Sequence, residues 1–182
     1  MMGWVILGIV VVLVLWLVAM YNGLVKLKVQ CDNAWADIDV QLKRRYDLIP
    51  NLVETVKGYA GHEKGTLEAV VAARNQAMTA TTPGDKAQAE NILSGTLKSL
   101  FALSEAYPQL RAVESFTSLQ NTLAQIEDTV QNARRYYNAV VRDLNTKIQV
   151  FPTNILAGMF GFQARQFFET SEADREPVAV KF

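Results

Sequence analysis

Apolar residues recur at alternating steps of three and four over two long parts of the chain. The first run predicts one amphipathic helix over residues 24–56, continuous with the apolar segment that precedes it. Pro50 lies within the run, but the rhythm resumes in phase after it, which favours a kink or a short break in a single helix. The apolar positions of this first predicted helix include Leu24, Leu27, Cys31, Ala34, Ile38, Leu42, Ile49 and Val56.

The strongest periodicity belongs to the last long helix, which we expect to begin with Ser115 as its N-cap and to end at Phe151-Pro152. Its apolar seam keeps a heptad spacing for four repeats, as in a coiled coil. Such a helix needs a partner of comparable length, and the first helix supplies one. The seam comprises Phe116, Leu119, Leu123, Ile126, Val130, Ala133, Tyr137, Val140 and Leu144.

Two shorter helices are predicted between the long ones, after a corner near His62. One covers residues 63–80, and a Thr/Pro/Gly cluster at residues 79–84 closes it as a loop. The next begins with Asp85 as its cap and must stop near Pro108. The predicted fold is therefore all-α: an N-terminal transmembrane helix continues into an antiparallel four-helix bundle whose first and last helices are long and coiled-coil-like.

The predicted domains are an anchor at residues 1–21, a helical bundle at 22–162 and a C-terminal tail at 163–182. No charged side chain occurs before Lys26, and the apolar run is long enough to cross a bilayer. Trp4 and Tyr21 lie about 26 Å apart at helical rise, which would place their rings near the two membrane interfaces. A cleaved signal peptide is the alternative, but the segment lacks a basic start. Lys26 and Lys28 favour a cytoplasmic bundle, with the extracytoplasmic side left open.

The tail predicts association with other proteins, because Phe167, Phe168 and Phe182 lie outside the four main helices and would be exposed. Its last residues, 177–182, have an extended pattern. A homo-oligomer is the expected result, and other membrane proteins are possible partners.

Composition argues against several functional classes. Eighteen basic residues balance eighteen acidic ones, so no net charge favours nucleic acid as a partner. A ferritin-like dimetal site needs Glu-x-x-His pairs, yet His62 is the single histidine and no Glu lies three residues before it. Cys31 is best interpreted as a small apolar residue on a helix face. We therefore predict no catalytic residue, no metal site and no cofactor, and interpret the protein as not an enzyme.

Polar residues along the two long helices predict a structural role. Asp37, Gln41 and Arg44 share one stripe of the first helix. A second stripe, on the last long helix, contains Glu127, Arg134, Asn138 and Asn145. Facing stripes would form pairs such as Asp37 with Arg134 and fix the register of packing. A ligand pocket between the helices is the alternative.

The segment from Asn33 to Ala60, followed by His62-Glu63, closely resembles the LemA family of bacterial membrane proteins. The resemblance extends over nearly the whole chain and implies a single-pass membrane protein with an α-helical domain and no assigned enzymatic activity. No catalytic residues follow from it. Further matching stretches are Tyr21-Asn22-Gly23-Leu24-Val25, Glu105-Ala106-Tyr107-Pro108, Ala133-Arg134, Tyr137-Asn138, Phe151-Pro152 with Asn154, Gly161-Phe162 and Phe167-Phe168-Glu169.

Two functional hypotheses follow. The first is a non-enzymatic scaffold, anchored in the bacterial inner membrane, that self-associates or docks partners. The second is an adaptor or sensor that binds a ligand or peptide and acts on a membrane protease or signalling protein. A hydrolase ranks last, because the chain has no Gly-x-Ser-x-Gly turn and no paired nucleophile and base.

Overall fold

The computed structural model describes residues 1–168, and these residues form helices and no strand. The all-α prediction is confirmed. Predicted features of the last residues, including the extended pattern at 177–182 and Phe182, lie outside the described residues. The helices are α1 Met2–Ala60, α2 Lys64–Thr79, α3 Pro83–Glu105, α4 Pro108–Arg111, α5 Glu114–Gln149 and α6 Thr153–Met159.

The chain divides into two compact units. The first unit contains residues 1–36 and 135–166, and the second unit contains residues 37–134 with residues 167 and 168. The helices α1 and α5 each contribute one part to either unit. The anchor, bundle and tail boundaries placed at residues 21 and 162 from hydropathy stay predictions.

Helix α1 runs from the apolar segment through Pro50 as the single element that the phase of the pattern predicted, and without the short break considered for Pro50. Proline lacks an N–H, so the carbonyl of Tyr46, four residues earlier, loses its helical partner. Arg74 of α2 replaces that donor, because its Nε donates a hydrogen bond of 2.8 Å to the Tyr46 carbonyl oxygen. A side chain from a neighbouring helix thus satisfies the backbone group that Pro50 leaves open.

The corner after α1 is confirmed at the predicted place. The amide of Glu63 donates to the carbonyl of Ala60 at 3.0 Å, and α2 begins at Lys64. Gly61 is required there because a Cβ would lie 2.9 Å from the backbone oxygen of Lys57. The helical rhythm of residues 67–78 predicted an apolar face that contains Val71 and Met78 beside Leu67 and Val70. Helix α2 instead buries Leu67, Val70, Ala73 and Ala77 and leaves Val71 and Met78 exposed.

The start of α3 differs from the prediction. Thr82, not Asp85, is the N-cap, and its hydroxyl oxygen accepts a hydrogen bond of 3.1 Å from the Asp85 amide. Pro83 occupies the first turn, where its missing N–H costs nothing. Asp85 instead accepts a hydrogen bond of 2.7 Å from the Thr82 hydroxyl. Because α3 begins at Pro83, the last two residues of the Thr/Pro/Gly cluster belong to the helix and not to the loop.

Two further differences surround α5. Its first residue is Glu114, which places the predicted cap Ser115 inside the helix. The short α4 had no counterpart in the prediction and begins at Pro108, the residue at which α3 was expected to have stopped. Every residue of the predicted heptad seam is buried or half-buried, from Phe116 to Leu144.

The first unit contains the apolar segment of α1 and a small core beside it. The segment is long and apolar enough to cross a membrane, and none of it is buried within the protein. The core comprises Leu24, Leu156 and Ala157, with Met20, Ile148 and Phe162 packed around it. Helix α6 therefore packs on α1 immediately after the apolar segment ends. Further along α1, the ring of Trp35 lies 5.4 Å from the ring of Tyr137 on α5.

Candidate functional site

The second unit contains a group of buried charged side chains, which we call the buried ionic cluster: Arg45, Tyr46, Glu90, Glu127 and Arg134. Three helices supply them. Arg45 and Tyr46 belong to α1, Glu90 to α3, and the other two to α5. Glu90 has no exposed surface, and both arginines are buried.

Glu90 is the central acceptor of the cluster. Its Oε2 accepts a hydrogen bond of 2.8 Å from Arg45 Nη1, and its Oε1 accepts one from the Tyr46 hydroxyl. Arg134 Nη2 lies 3.9 Å from the same Oε2. Burial, together with the Glu90 carboxylate, raises the pKa of the Tyr46 hydroxyl well above its ordinary value. The tyrosine therefore stays protonated and acts as a donor.

The two arginines have different surroundings. Arg45 Nη1 also lies 2.9 Å from Glu127 Oε2, and its Nη2 donates to the Ser94 hydroxyl at 2.9 Å. The Arg134 guanidinium carbon lies 4.5 Å from the centre of the Phe168 ring. Burial lowers the pKa of Arg134, an effect that Glu90 and Glu127 oppose.

The position of Phe168 corrects one prediction. This ring was expected to be exposed in the tail, yet only 1% of its surface is accessible. A cation–π contact explains the difference. The electron-rich face of the Phe168 ring attracts the buried Arg134 guanidinium, and this attraction partly replaces the water that the charge has lost. Phe167 is half-buried.

The chemistry of the cluster is that of a balanced ionic network. Two cationic and two anionic side chains offset one another, so the cluster has no excess charge with which to hold an ion. Within residues 1–168, no group of three or more His, Cys, Asp or Glu side chains is arranged to bind a metal. Intact buried pairs of this kind contribute little net stability, whereas removal of one partner leaves a buried charge and is costly.

The structure brings together only some of the polar residues named from the sequence. Glu127 and Arg134 join the cluster, whereas Asp37 and Arg44 are exposed and Gln41 and Asn138 are half-buried. The structure pairs Arg134 with Glu90 rather than with Asp37.

Arg45 and Glu90 were not singled out from the sequence, although each left a signal. Arg45 occupies a position where the apolar rhythm of the first helix calls for a buried residue. Glu90 directly follows Ala89 and precedes Leu93 by three residues, on the face that α3 buries. A charged residue at a buried helical position requires a partner of opposite charge.

A groove of about 680 Å³ lies in the first unit. Asn145 shapes one wall: its Nδ2 donates to the Arg165 carbonyl at 2.9 Å, and its Oδ1 accepts from the Arg165 amide at 2.8 Å. The Arg165 guanidinium pairs with Asp32. The groove is lined by Tyr21, Val25, Lys28, Val29, Asp32, Leu144 and residues 160–165.

The remaining residues of interest have ordinary surroundings. The ring of Tyr21, predicted to lie at a membrane interface, is 4.8 Å from Phe160 and 5.9 Å from Phe162. Trp4 is exposed. Cys31 is buried, and that burial raises the pKa of its thiol, which makes it a poor nucleophile.

Comparison with known proteins identifies relatives over most of the chain. This chain is 25% identical to the magnetosome protein MamQ 2 of Paramagnetospirillum magneticum, and the alignment covers 93% of this chain and 72% of that protein. Protein LemA of Metamycoplasma hominis is 26% identical, with 86% and 72% covered. The magnetosome protein MamQ of Magnetospirillum gryphiswaldense is 21% identical, with 87% and 68% covered. Residues 34–182 match the model of the LemA family, and the chain therefore belongs to that family.

Proposed function

We propose that this protein is a non-enzymatic scaffold, anchored by one transmembrane helix in the bacterial inner membrane, that self-associates or docks partners. The observation that carries the proposal is the continuity of α1, which extends from an exposed apolar segment into the packed residues of both units without a break. A single helix transmits position and force more directly than a flexible linker does. Antiparallel packing of the long helices in a four-helix bundle belongs to this proposal.

The buried ionic cluster supports a structural role. Its charged groups form ion pairs with one another: Arg45 with Glu90 and Glu127, and Arg134 with Glu90. The LemA match, together with relatives named as magnetosome proteins, supports association with a membrane.

Helix α2 offers a surface for docking. Val71 and Met78 are both exposed, and they lie seven residues apart, which places them on the same face of the helix. Exposed apolar side chains in a row favour contact with a second protein. We propose that this face contributes to self-association. Lys26 and Lys28 favour the cytoplasmic side for it, with the extracytoplasmic side as the alternative.

The proposal is tested by the mass distribution of the full-length protein in nanodiscs or mild detergent. A chain that begins at Met20 is measured beside it, because Met20 and Tyr21 pack in the first unit. We expect discrete assemblies in the full-length protein that Val71→Asp with Met78→Asp dissociates. The matched control is Gln76→Asp, at an exposed position on a different face of the same helix. Monomers at every concentration would contradict self-association.

The second candidate is an adaptor that binds a small ligand or peptide, and the groove of the first unit favours it. Its volume lies within the usual range for ligand sites, and it combines aromatic rings with Lys28 and Arg165. Binding to the folded state would raise its stability by about 2.7 kcal/mol at a ligand concentration of 100 Kd. Thermal unfolding with a library of short peptides tests this, with Val29→Trp as the variant that fills the groove. A shift that persists in Val29→Trp would place binding elsewhere.

A further inference from the structure

Helix α6 and the residues beside it carry an apolar surface that no described part of the protein covers. Its side chains are markedly exposed: Phe151 at 78% and Met159 at 73% of their surface. No charged residue occurs between Lys147 and Arg165, so the whole segment is uncharged. We call this surface the α6 patch, and its members are Val150, Phe151, Ile155, Met159 and Phe160.

The opposite face of α6 fixes where the patch lies. Leu156 and Ala157 are buried against Leu24 of α1, with Met20 packed at the edge of that core. Leu24 follows Tyr21 by three residues, which is about 4.5 Å along a helix. Helix α6 is therefore held at the level where the apolar segment of α1 ends.

The patch is continuous with the apolar surface of α1. Phe160, a member of the patch, lies 4.8 Å from Tyr21, and the side chains that precede Tyr21 on α1 are exposed and apolar. Beyond the patch, the exposed residues include Lys26, Lys28 and Lys147. Lysines that follow an apolar segment within a few residues are typical of a chain that leaves the interfacial layer of a bilayer.

We propose that the α6 patch is a second membrane contact, embedded in the interfacial layer of the bilayer that α1 crosses. This inference rests on the proposed anchor, since only an α1 that spans the bilayer brings lipid to the level of Leu24. The contact holds the first unit against the membrane surface at two places. It also gives the exposed apolar side chains of the α6 patch a lipid environment in place of water.

A second copy of this chain is the competing occupant of the patch. The two occupants differ in what they exclude. Lipid admits apolar molecular oxygen and excludes polar nickel complexes, whereas a protein interface excludes both. Contacts between copies also depend on the amount of protein per vesicle, and embedding in lipid does not.

The test is spin-label accessibility in the full-length protein reconstituted in vesicles of phosphatidylethanolamine and phosphatidylglycerol. Labels are placed singly through Phe151→Cys, Met159→Cys, Val12→Cys and Arg142→Cys, with Cys31 replaced by alanine. Val12 reports on the anchor, and Arg142 is an exposed control on α5. We expect the ratio of oxygen to nickel accessibility at Phe151 and Met159 to be several-fold above that at Arg142, and unchanged when the amount of protein per vesicle is lowered.

The outcomes separate this inference from the proposed function. A high nickel accessibility at Val12 would overturn the anchor, and with it the proposed function. A high ratio of oxygen to nickel accessibility at Val12, with a ratio at Phe151 and Met159 as low as that at Arg142, would overturn the second membrane contact alone. Low accessibility of Phe151 and Met159 to both reagents would assign the patch to a second copy, if the spectra are also broadened and dilution with unlabelled protein relieves the broadening. Far-UV circular dichroism checks that each labelled variant is folded.

Discussion

Glu90 is the residue on which the buried ionic cluster depends. It is fully buried, hydrogen-bonded to Arg45 and Tyr46, and close to Arg134. The two buried arginines each lose hydration on folding, and Glu90 is the carboxylate that both approach. Loss of its charge would leave two buried cations facing the partly exposed Glu127.

We expect Glu90→Gln to lower the free energy of unfolding by about 3–5 kcal/mol, the usual cost of removing one partner from a buried ion pair. Urea unfolding followed by circular dichroism measures it, in the chain that begins at Met20. Glu68→Gln, at an exposed position of α2, is the control and should change the value by no more than about 0.5 kcal/mol. Equal effects of the two substitutions would mean that the cluster contributes nothing to folding.

Sequence reasoning at this scale found two of the five residues of the buried ionic cluster. Glu127 and Arg134 were identified because they flank a strong heptad seam, whereas Arg45 and Glu90 occupy positions that their helices bury. An apolar periodicity gives no reason to expect a charged residue at a buried position. Only the packing of α1 against α3 shows that Arg45 and Glu90 form an ion pair.

At the scale of helices, the sequence predicted the long elements well and their ends poorly. The continuity of α1 through Pro50 followed from the phase of the apolar pattern. The cap at Asp85 was misplaced because Thr82 with Pro83 suits the geometry of α3 better, and Ser115 lies one residue inside α5, which begins at Glu114. Short α4 was missed because four residues carry too little periodicity to detect.

Pro50 and Arg74 give a prediction that belongs to the helix pair α1 and α2. Arg74→Ala removes the donor to the Tyr46 carbonyl and should cost about 1–3 kcal/mol of unfolding free energy, the cost of an unsatisfied buried acceptor. In a Pro50→Ala background the cost should be smaller, because residue 50 then has an N–H for that carbonyl. Urea unfolding of both single variants and the double variant measures the coupling.

The control for this cycle is Glu68→Ala, at an exposed position on α2. Its effect on the unfolding free energy should be the same with Pro50 and with alanine at that position. If Arg74→Ala also costs the same in both backgrounds, the arginine does not compensate for the proline, and its contribution comes from packing alone.

At the scale of the whole molecule, the apolar segment of α1 should be separable from folding, because none of its surface is buried in the protein. We expect a chain that begins at Met20 to be soluble without detergent and to keep its helices. A chain that begins at Val25 lacks Met20, Tyr21 and the fully buried Leu24. Loss of a buried leucine alone costs about 2–5 kcal/mol, so the shorter chain should be measurably less stable in urea. Equal stability would mean that the core beneath α6 adds nothing to folding, and the packing that holds the α6 patch beside the membrane would then lack the strength to do so.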